Sequence, residues 1–191
     1  MPSAFGRIAF TPGVRAFQAR QGVRQRDARP DDAIDERGAG LTDLEAAFVG
    51  ARDGFYQATV GENGWPYVQF RGGPPGFLRV LDARTIAYAD FRGNMQYISA
   101  GNLSADGRVS LILMDYANRR RLKLFGRARL VDAGDDPALV ARLEDPGYRA
   151  RIERAVVISV EAFDWNCPQR ITPRFTEAEF AARWESGQDL R

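Results

Sequence analysis

Two adjacent glycines followed by a proline pair form the first segment whose residue types could do chemistry. The stretch reads Arg71-Gly72-Gly73-Pro74-Pro75-Gly76 and follows a β-rich run. Glycine lets a ligand approach the main chain closely, and exposed backbone N–H groups can bind a planar or phosphorylated compound. Arg71 could hold phosphate through its forked guanidinium. The alternative interpretation is a tight β-corner with an arginine on the surface.

A second segment leads from a strand end through Gly93-Asn94 into a helix that the spacing predicts over residues 94–104. A helix N-terminus after a glycine turn is an anion site. Polar side chains three residues apart share one face of a helix, and an uncharged polar face suits hydrogen bonding to a ligand. The alternative is a solvated face. The polar face consists of Gln96, Ser99 and Asn102, and the inward face of Tyr97, Ile98 and Leu103.

Two further segments carry unusual residue choices. Arg119-Arg120-Arg121 and Lys123 begin a predicted strand, whose side chains alternate, so at least one arginine points toward the interior or a partner subunit. The alternative is a solvated turn.

Near the C-terminus Trp165, Asn166 and Gln169 combine a flat apolar wall with amide donors, which is typical of a ring-binding edge. Cys167 is interpreted as a small buried or half-buried residue.

The composition excludes several kinds of site. The chain has no histidine and one cysteine, which excludes histidine bases, Cys-His pairs, histidine or thiolate metal sites and an intrachain disulfide. We therefore expect no metal site, and an organic cofactor would have to carry any catalysis. The net charge of +2 argues against nucleic-acid binding. The sequence has no long apolar run, so we expect no membrane association and a cytoplasmic location.

The order of the predicted elements indicates a mainly β protein with peripheral helices. Strands linked by hairpins favour an antiparallel sheet of six or seven strands, and closure into a barrel removes exposed edges. Helices are expected within 11–26, from Thr42, within 94–104 and 137–144, and from Thr176; strands are expected at 55–60, 66–71, 77–81, 85–89, 109–114, 122–131 and 155–163. The predicted organisation is an N-terminal helical extension and linker over 1–40, a barrel domain over 41–175 and a C-terminal helix over 176–191.

Together, three stretches resemble the pyridoxamine 5'-phosphate oxidase-related flavoproteins. They are residues 64–78, 89–99 and 163–169. The resemblance implies a split barrel that binds FMN at the interface of a homodimer. It also implies that one strand lies along the flavin, that a hairpin end and helix hold its phosphate side, that a polar residue reaches it from the second subunit, and that the C-terminal tail covers the ring. The strand along the flavin would supply Gln69, Phe70, Arg71, Gly72 and Gly73. The hairpin end and helix on the phosphate side would supply Tyr88, Ala89, Gln96, Ser99 and Asn102. The polar residue from the second subunit would be Arg121, and the tail over the ring would supply Trp165 and Gln169.

The sequence departs from the oxidase itself at two places. Gln96-Tyr97-Ile98-Ser99 stands where that enzyme has an Arg-Lys pair, and its C-terminal Arg-x-His element has no counterpart in a chain without histidine. Oxidation of pyridoxamine phosphate is therefore not expected. The expectation is an FMN-dependent oxidoreductase that acts on an unidentified small molecule, with NADH or NADPH as a candidate electron donor. The alternatives are a non-catalytic module that binds or senses flavin or another ligand, and a relative that uses deazaflavin or haem.

Overall fold

Seven antiparallel strands form one continuous sheet in the computed structural model, which describes residues 3–23 and 38–187. The strands are β1 (Gly54–Val60), β2 (Pro66–Gly72), β3 (Arg79–Asp82), β4 (Thr85–Phe91), β5 (Arg108–Asp115), β6 (Arg120–Asp132) and β7 (Ile152–Trp165). Their order across the sheet is β2-β1-β5-β6-β7-β4-β3. The predicted mainly β, antiparallel fold is confirmed, with the larger of the two predicted strand numbers.

The sheet curls until strands distant in its order meet. The hydroxyl of Tyr88 on β4 donates to Gln57 Oε1 on β1 over 2.8 Å, although three strands separate β1 from β4 in the sheet. Arg71 at the end of edge strand β2 bonds Asp90 on β4 over 2.8 Å. Strands that are not neighbours can meet this way only if the sheet closes around its interior, which gives the split barrel that the sequence predicts.

Alternating side chains fill the interior of the barrel. On β5 the residues Val109, Leu111 and Leu113 are buried, and Leu122 and Leu124 on β6 join them. This period of two places one face of each strand in the core. The inward positions of β1 are more polar, because Gln57 and Thr59 are also buried there. The polar part of the interior lies beneath the cleft described below.

Six helices lie around the barrel in the described ranges. They are α1 (Ala4–Ala9), α2 (Pro12–Arg20), α3 (Asp43–Gly50), α4 (Ile98–Ala105), α5 (Pro137–Leu143) and α6 (Glu177–Ser186). The first was not predicted; it packs on β7, and its Phe5 stacks on Phe125 with ring centroids 4.8 Å apart. None of the described helices is long and apolar enough to cross a membrane. Residues 24–37 and 188–191, which include parts of the predicted first helix, linker and C-terminal segment, lie outside the description.

Three local predictions were wrong. The helix predicted over 94–104 begins at Ile98, because Met95 and Tyr97 have φ of 60° and 51° and cannot belong to a right-handed helix. Gln96 is therefore not on the helical face that carries Ser99 and Asn102. Tyr97 and Ile98 do not face inward either, since each is more than two-fifths exposed. Cys167, interpreted as buried or half-buried, is exposed.

The carboxylate of Glu45 ties α3 to the last strand. One oxygen accepts from the Thr42 amide over 3.0 Å and from the Thr42 hydroxyl, which forms the predicted capping box. The other oxygen accepts from Trp165 Nε1 over 2.7 Å. Burial alone raises the pKa of Glu45, but these hydrogen bonds outweigh it and hold the pKa below its usual value.

This arrangement predicts an acid-sensitive contribution to stability. Because the pKa of Glu45 is lower in the folded protein, its stabilising effect is complete above the unfolded-state value of 4.5 and is lost as pH falls through the folded-state value. We expect Glu45→Gln to lower the free energy of unfolding at pH 7 by about 1–2 kcal/mol, and the difference from wild type to shrink below about pH 4. Urea denaturation across this pH range measures it. A difference that stays constant, as expected for the exposed control Glu62→Gln, would contradict the assignment.

Candidate functional site

A small polar cleft lies where the end of β2 meets the start of α4. It has a volume of about 60 Å³, enough for a phosphate-sized group. Residues from β2, β4, the loop before α4, the first turn of α4 and β7 line it. They are Tyr67, Gln69, Arg71, Asp90, Phe91, Gly93, Asn94, Met95, Gln96, Tyr97, Ile98, Ser99, Ala100 and Glu153. We call it the strand–helix cleft.

The N-terminus of α4 opens into this cleft. The helix has no side-chain cap, and its first backbone hydrogen bond runs from the Gly101 amide to the Tyr97 carbonyl over 2.8 Å. The amides of Ile98, Ser99 and Ala100 precede that bond, so they have no acceptor within the helix. Unpartnered amides at the positive end of a helix favour an anion.

Hydrogen bonds between polar side chains fix α4 against the hairpin of β1 and β2. Ser99, which is buried, donates from Oγ to Gln69 Oε1 over 2.8 Å. One turn later Asn102 donates from Nδ2 to Thr59 Oγ1 over 3.0 Å. The helix N-terminus is therefore held at the inward face of β2, so the anion-binding amides and the side chain of Arg71 share one cleft.

The buried carboxylate of Asp90 holds two arginine side chains in place beside the cleft. Asp90, of which 7% is exposed, accepts from Arg71 Nη1 over 2.8 Å and from Arg154 Nη1 over 3.1 Å. Arg154 also lies 3.5 Å from Glu153, whose carboxylate accepts from the Tyr97 hydroxyl over 3.0 Å. The Nε of Arg71 is buried and has no partner in the described part of the chain. A buried donor without an acceptor costs free energy, so Arg71 retains the capacity to bind a further anion.

The free edge of β2 offers backbone groups beside the cleft. Hydrogen bonds from Gly61 to Trp65 and from Gly73 to Asp53, of 2.9 and 3.0 Å, mark hydrogen-bonded pairs at both ends of the hairpin. Because such pairs alternate along an antiparallel ladder of constant register, the amides and carbonyls of Val68, Phe70 and Gly72 face away from β1. No other strand pairs with β2 among the described residues. This edge can hydrogen-bond a ligand.

The two glycines of the predicted ligand corner have different environments. The amide and carbonyl of Gly72 face the free edge of β2, and a Cβ on Gly72 would lie 2.9 Å from the Phe70 ring. The amide of Gly73 is already bonded to Asp53, and a Cβ on Gly73 would lie 2.6 Å from the ring of Phe77. The prediction that both glycines expose their N–H groups was therefore wrong for Gly73, which is needed for packing.

The structure brings together only part of the predicted site. The cleft contains Gln69, Arg71, Gln96 and Ser99, with Phe70 and Gly72 on the adjacent edge. Tyr88 lies behind Arg71, where burial raises the pKa of its hydroxyl, and Ala89 is buried beside it. The remaining predicted residues do not line the cleft; they are Gly73, Asn102, Arg121, Trp165 and Gln169.

Several lining or supporting residues were missed by sequence reasoning, among them Tyr67, Asp90, Glu153 and Arg154. Tyr67 had a signal, since it precedes Gln69 and Arg71 by two and four positions on the same face of β2. Asp90 and Arg154 are opposite each other in the register of β4 and β7, 64 positions apart in the chain, and Glu153 adjoins them. No local pattern predicts such a pairing.

Comparisons with known proteins agree with this fold. The family model described as pyridoxamine 5'-phosphate oxidase matches residues 41–165. An FMN-binding protein from Syntrophomonas wolfei is 16% identical; the match covers 65% of this chain and 86% of that one, with a TM-score of 0.50. HupZ from Group A Streptococcus is 15% identical, and the match covers 71% of this chain and 99% of that one, with a TM-score of 0.50. No curated protein sequence matches the chain.

The family match covers the part of the chain that forms the barrel and the strand–helix cleft. The matched residues begin just before α3, end at the last residue of β7, and so include all seven strands and the strand–helix cleft. The match extends over more than half of the sequence. The protein therefore belongs to the pyridoxamine 5'-phosphate oxidase family.

Proposed function

We propose that the protein is an FMN-binding oxidoreductase whose strand–helix cleft holds the phosphate of the flavin. The observation that carries the proposal is the convergence of two kinds of unpartnered donor on one small cleft. These are the first-turn amides of α4 and the buried Nε of Arg71. Membership of the oxidase family and the resemblance of three stretches to its flavoproteins support the flavin as the ligand.

The residues present fit a phosphate monoester in charge and in size. Arg71, Arg92 and Arg154 lie around the cleft and face the carboxylates of Asp90 and Glu153, and Arg154 also lies 3.7 Å from the exposed carboxylate of Asp132. The helix amides add partial positive charge, so the balance favours an anion. The volume of about 60 Å³ cannot enclose a whole flavin, so the ring must lie outside the cleft.

The free edge of β2 suits the flavin ring. One edge of an isoalloxazine alternates carbonyl and nitrogen groups, which can pair with the outward amides and carbonyls of Phe70 and Gly72. In this arrangement Arg71 and α4 bind the phosphate, while the backbone of β2 orients the ring. Bound FMN supplies the capacity to accept and release electrons, and the chain supplies binding, orientation and a fixed electrostatic environment.

An exposed apolar face supports the homodimer as part of this proposal. Tyr56, Val68, Phe70 and Ile112 lie on the outer face of β1, β2 and β5 and are between 36% and 60% exposed. Contiguous exposed apolar surface of this kind is typical of an interface. Arg121, which pairs with Met114, lies on the same outer face. A twofold dimer through this face would bring Arg121 of one protomer to the surface of its partner, the position that the family resemblance implies for it.

The electron donor and location complete the proposal. NADH or NADPH would reduce the flavin, and the cytoplasm, where both are abundant, is the proposed location. Reduction of bound FMN by either nucleotide, followed by reoxidation, would show turnover. Flavin that is bound but never reduced would favour the alternative of a non-catalytic binding module.

A comparison of FMN with riboflavin tests the proposal. If the strand–helix cleft recognises phosphate, the purified protein should bind FMN at least about 10-fold more tightly than riboflavin, since charge-assisted hydrogen bonds contribute about 1.5–3 kcal/mol each. Quenching of flavin fluorescence measures both affinities. A protein that binds neither compound, or binds both equally, would contradict the assignment of the cleft.

A further inference from the structure

The helix α2 lies on the outside of the barrel and buries none of its residues. The helix before it, α1, is anchored, because Phe5 stacks on Phe125 and Ala4 is buried beside Ala162. No residue of α2 is buried in this way against residues 3–23 or 38–187, the described part of the chain. A nine-residue helix is only marginally stable in water without tertiary packing. A further surface is therefore expected to cover α2.

Apolar side chains are exposed along α2 and beside it. Val14 and Phe17 lie three positions apart, so they share one face of the helix. Single exposed apolar residues are normal on a protein surface, but five within residues 8–23 indicate an interaction surface. They are Ile8, Phe10, Val14, Phe17 and Val23, each at least 39% exposed.

Two arginines flank the apolar face of α2. At about 100° per residue, Arg15 and Arg20 lie on opposite sides of the face that contains Phe17. The guanidinium of Arg20 lies 5.1 Å from the centre of the Phe17 ring, which suits a side chain whose stem covers apolar surface while its charge stays at the edge. Arg15 Nε donates to the Phe10 carbonyl over 3.1 Å and so ties α2 to the end of α1. Neither arginine has an ion pair within the described ranges.

The charge of the whole chain is divided unevenly between this segment and the rest. Residues 1–26 contain five arginines and no acidic residue, since the first acidic residue is Asp27. The net charge of the chain is only +2, so residues 27–191 carry a net charge of −3. Such an asymmetry favours an anionic partner for the basic segment.

We propose that α2, with Phe10 before it and Val23 after it, docks on the surface of an anionic lipid bilayer. A helix with an apolar face flanked by arginines lies in the plane of the interface, where its apolar side chains enter the headgroup region and its cations approach lipid phosphates. The expected absence of membrane association rested on the lack of a long apolar run, and a surface helix needs no such run. Residues 3–23 do not line the strand–helix cleft, so the inference is independent of flavin binding.

A bilayer fits this surface better than a second copy of the chain does. Two copies of α2 packed together would bring Arg15 and Arg20 of both copies close to one another, and like charges oppose that contact. The apolar face proposed for the homodimer lies on β1, β2 and β5, whereas α1 holds α2 at β7, two strands beyond β5 in the sheet. A lipid surface can accept apolar and cationic groups together without a matched shape.

Vesicle co-sedimentation tests the inference on the purified protein. We expect binding to vesicles of equal parts phosphatidylglycerol and phosphatidylcholine to be at least about 10-fold stronger than binding to phosphatidylcholine alone. Each arginine near an anionic surface should strengthen binding about fivefold, so two are enough for this difference. A higher salt concentration should weaken the binding, because exposed charges are screened.

Two variants separate the charge of α2 from its apolar face. The double variant Arg15→Gln/Arg20→Gln should weaken binding to the anionic vesicles at least about 10-fold. Phe17→Ser should weaken it about fivefold, because the exposed ring no longer enters the bilayer. The control Arg129→Gln/Arg149→Gln removes the same charge from exposed positions outside the segment and should leave the binding nearly unchanged. Thermal unfolding followed by circular dichroism checks that each variant keeps the fold.

Several results would overturn the inference. Equal binding to anionic and neutral vesicles, or no binding to either, would show that no anionic bilayer covers α2. Wild-type binding by Arg15→Gln/Arg20→Gln would place the lipid contact elsewhere on the protein. Altered self-association of that variant in analytical ultracentrifugation, without vesicle binding by the wild type, would assign α2 to a second copy. Tighter binding to duplex DNA than to the vesicles would assign it to nucleic acid.

Discussion

Substitution of Arg71 by glutamine is expected to weaken FMN binding by about 50-fold, because a charge-assisted contact to phosphate contributes about 1.5–3 kcal/mol. Arg71 is the cleft arginine whose Nε is buried without a partner, and Asp90 fixes its guanidinium from the other side. Glutamine can neither carry the charge nor form the forked contact. Titration of the purified variant with FMN, followed by flavin fluorescence, measures the loss.

Riboflavin shows whether that loss comes from the phosphate contact. Because riboflavin has no phosphate, its weaker binding should change little in Arg71→Gln, so the preference for FMN should largely disappear. Arg129→Gln, an exposed arginine on β6, should keep wild-type affinity for both compounds. If the Arg71 variant loses affinity for FMN and riboflavin equally, the arginine supports the fold of the site and does not contact phosphate.

The hairpin beside the cleft could be predicted from sequence, because the residues that determine it are close together in the chain. The Asn63-Gly64 turn, flanked by alternating apolar and polar residues, predicted strands at 55–60 and 66–71, and the structure has β1 and β2 there. Gly64 adopts a φ of 82°, which few other residues tolerate. Once the strands were known, their period of two placed Gln69 and Arg71 on one face.

The conformation of the loop before α4 could not be predicted from sequence, because it opposes the usual backbone preference of its residues. Gln96, Ser99 and Asn102 have helical spacing, yet positive φ at Met95 and Tyr97 delays the helix to Ile98. Non-glycine residues in this region are strained unless the surroundings hold them, and such strain is common at ligand sites. Here the Tyr97 hydroxyl bonds Glu153, on a strand more than fifty positions away in the chain. Sequence spacing contains no signal for that contact.

Trp165 shows a different limit of sequence reasoning. Its position in the C-terminal segment, together with the resemblance of that segment to the family, predicts that its indole forms a wall against the flavin ring. In the structure its ring meets Phe48 edge-on with centroids 4.7 Å apart, its Nε1 donates to Glu45, and the guanidinium of Arg120 stacks over it. A large aromatic residue serves equally well for packing and for ligand binding, so its type alone cannot separate these two functions.

Trp165→Ala is therefore expected to lower the free energy of unfolding by about 3 kcal/mol, while the folded protein keeps its FMN affinity within about threefold. The loss combines the packing of the indole on Phe48 with the hydrogen bond to buried Glu45. Urea denaturation monitored by circular dichroism measures stability, and FMN titration at low urea concentration measures binding by the folded form.

Two matched variants separate the packing of Trp165 from a contact with flavin. Trp165→Phe keeps an aromatic ring against Phe48 but leaves one oxygen of Glu45 without its donor, so about 1–2 kcal/mol of the loss should remain. Trp184→Ala, on a side chain that is 71% exposed, should change neither stability nor affinity. A Trp165→Ala protein that loses FMN affinity more than about 10-fold while Trp165→Phe retains it would show that the indole is a wall of the flavin site. In that case the tail of one protomer would have to reach the β2 edge of another, because within a single chain Trp165 lies against α3 and does not line the strand–helix cleft.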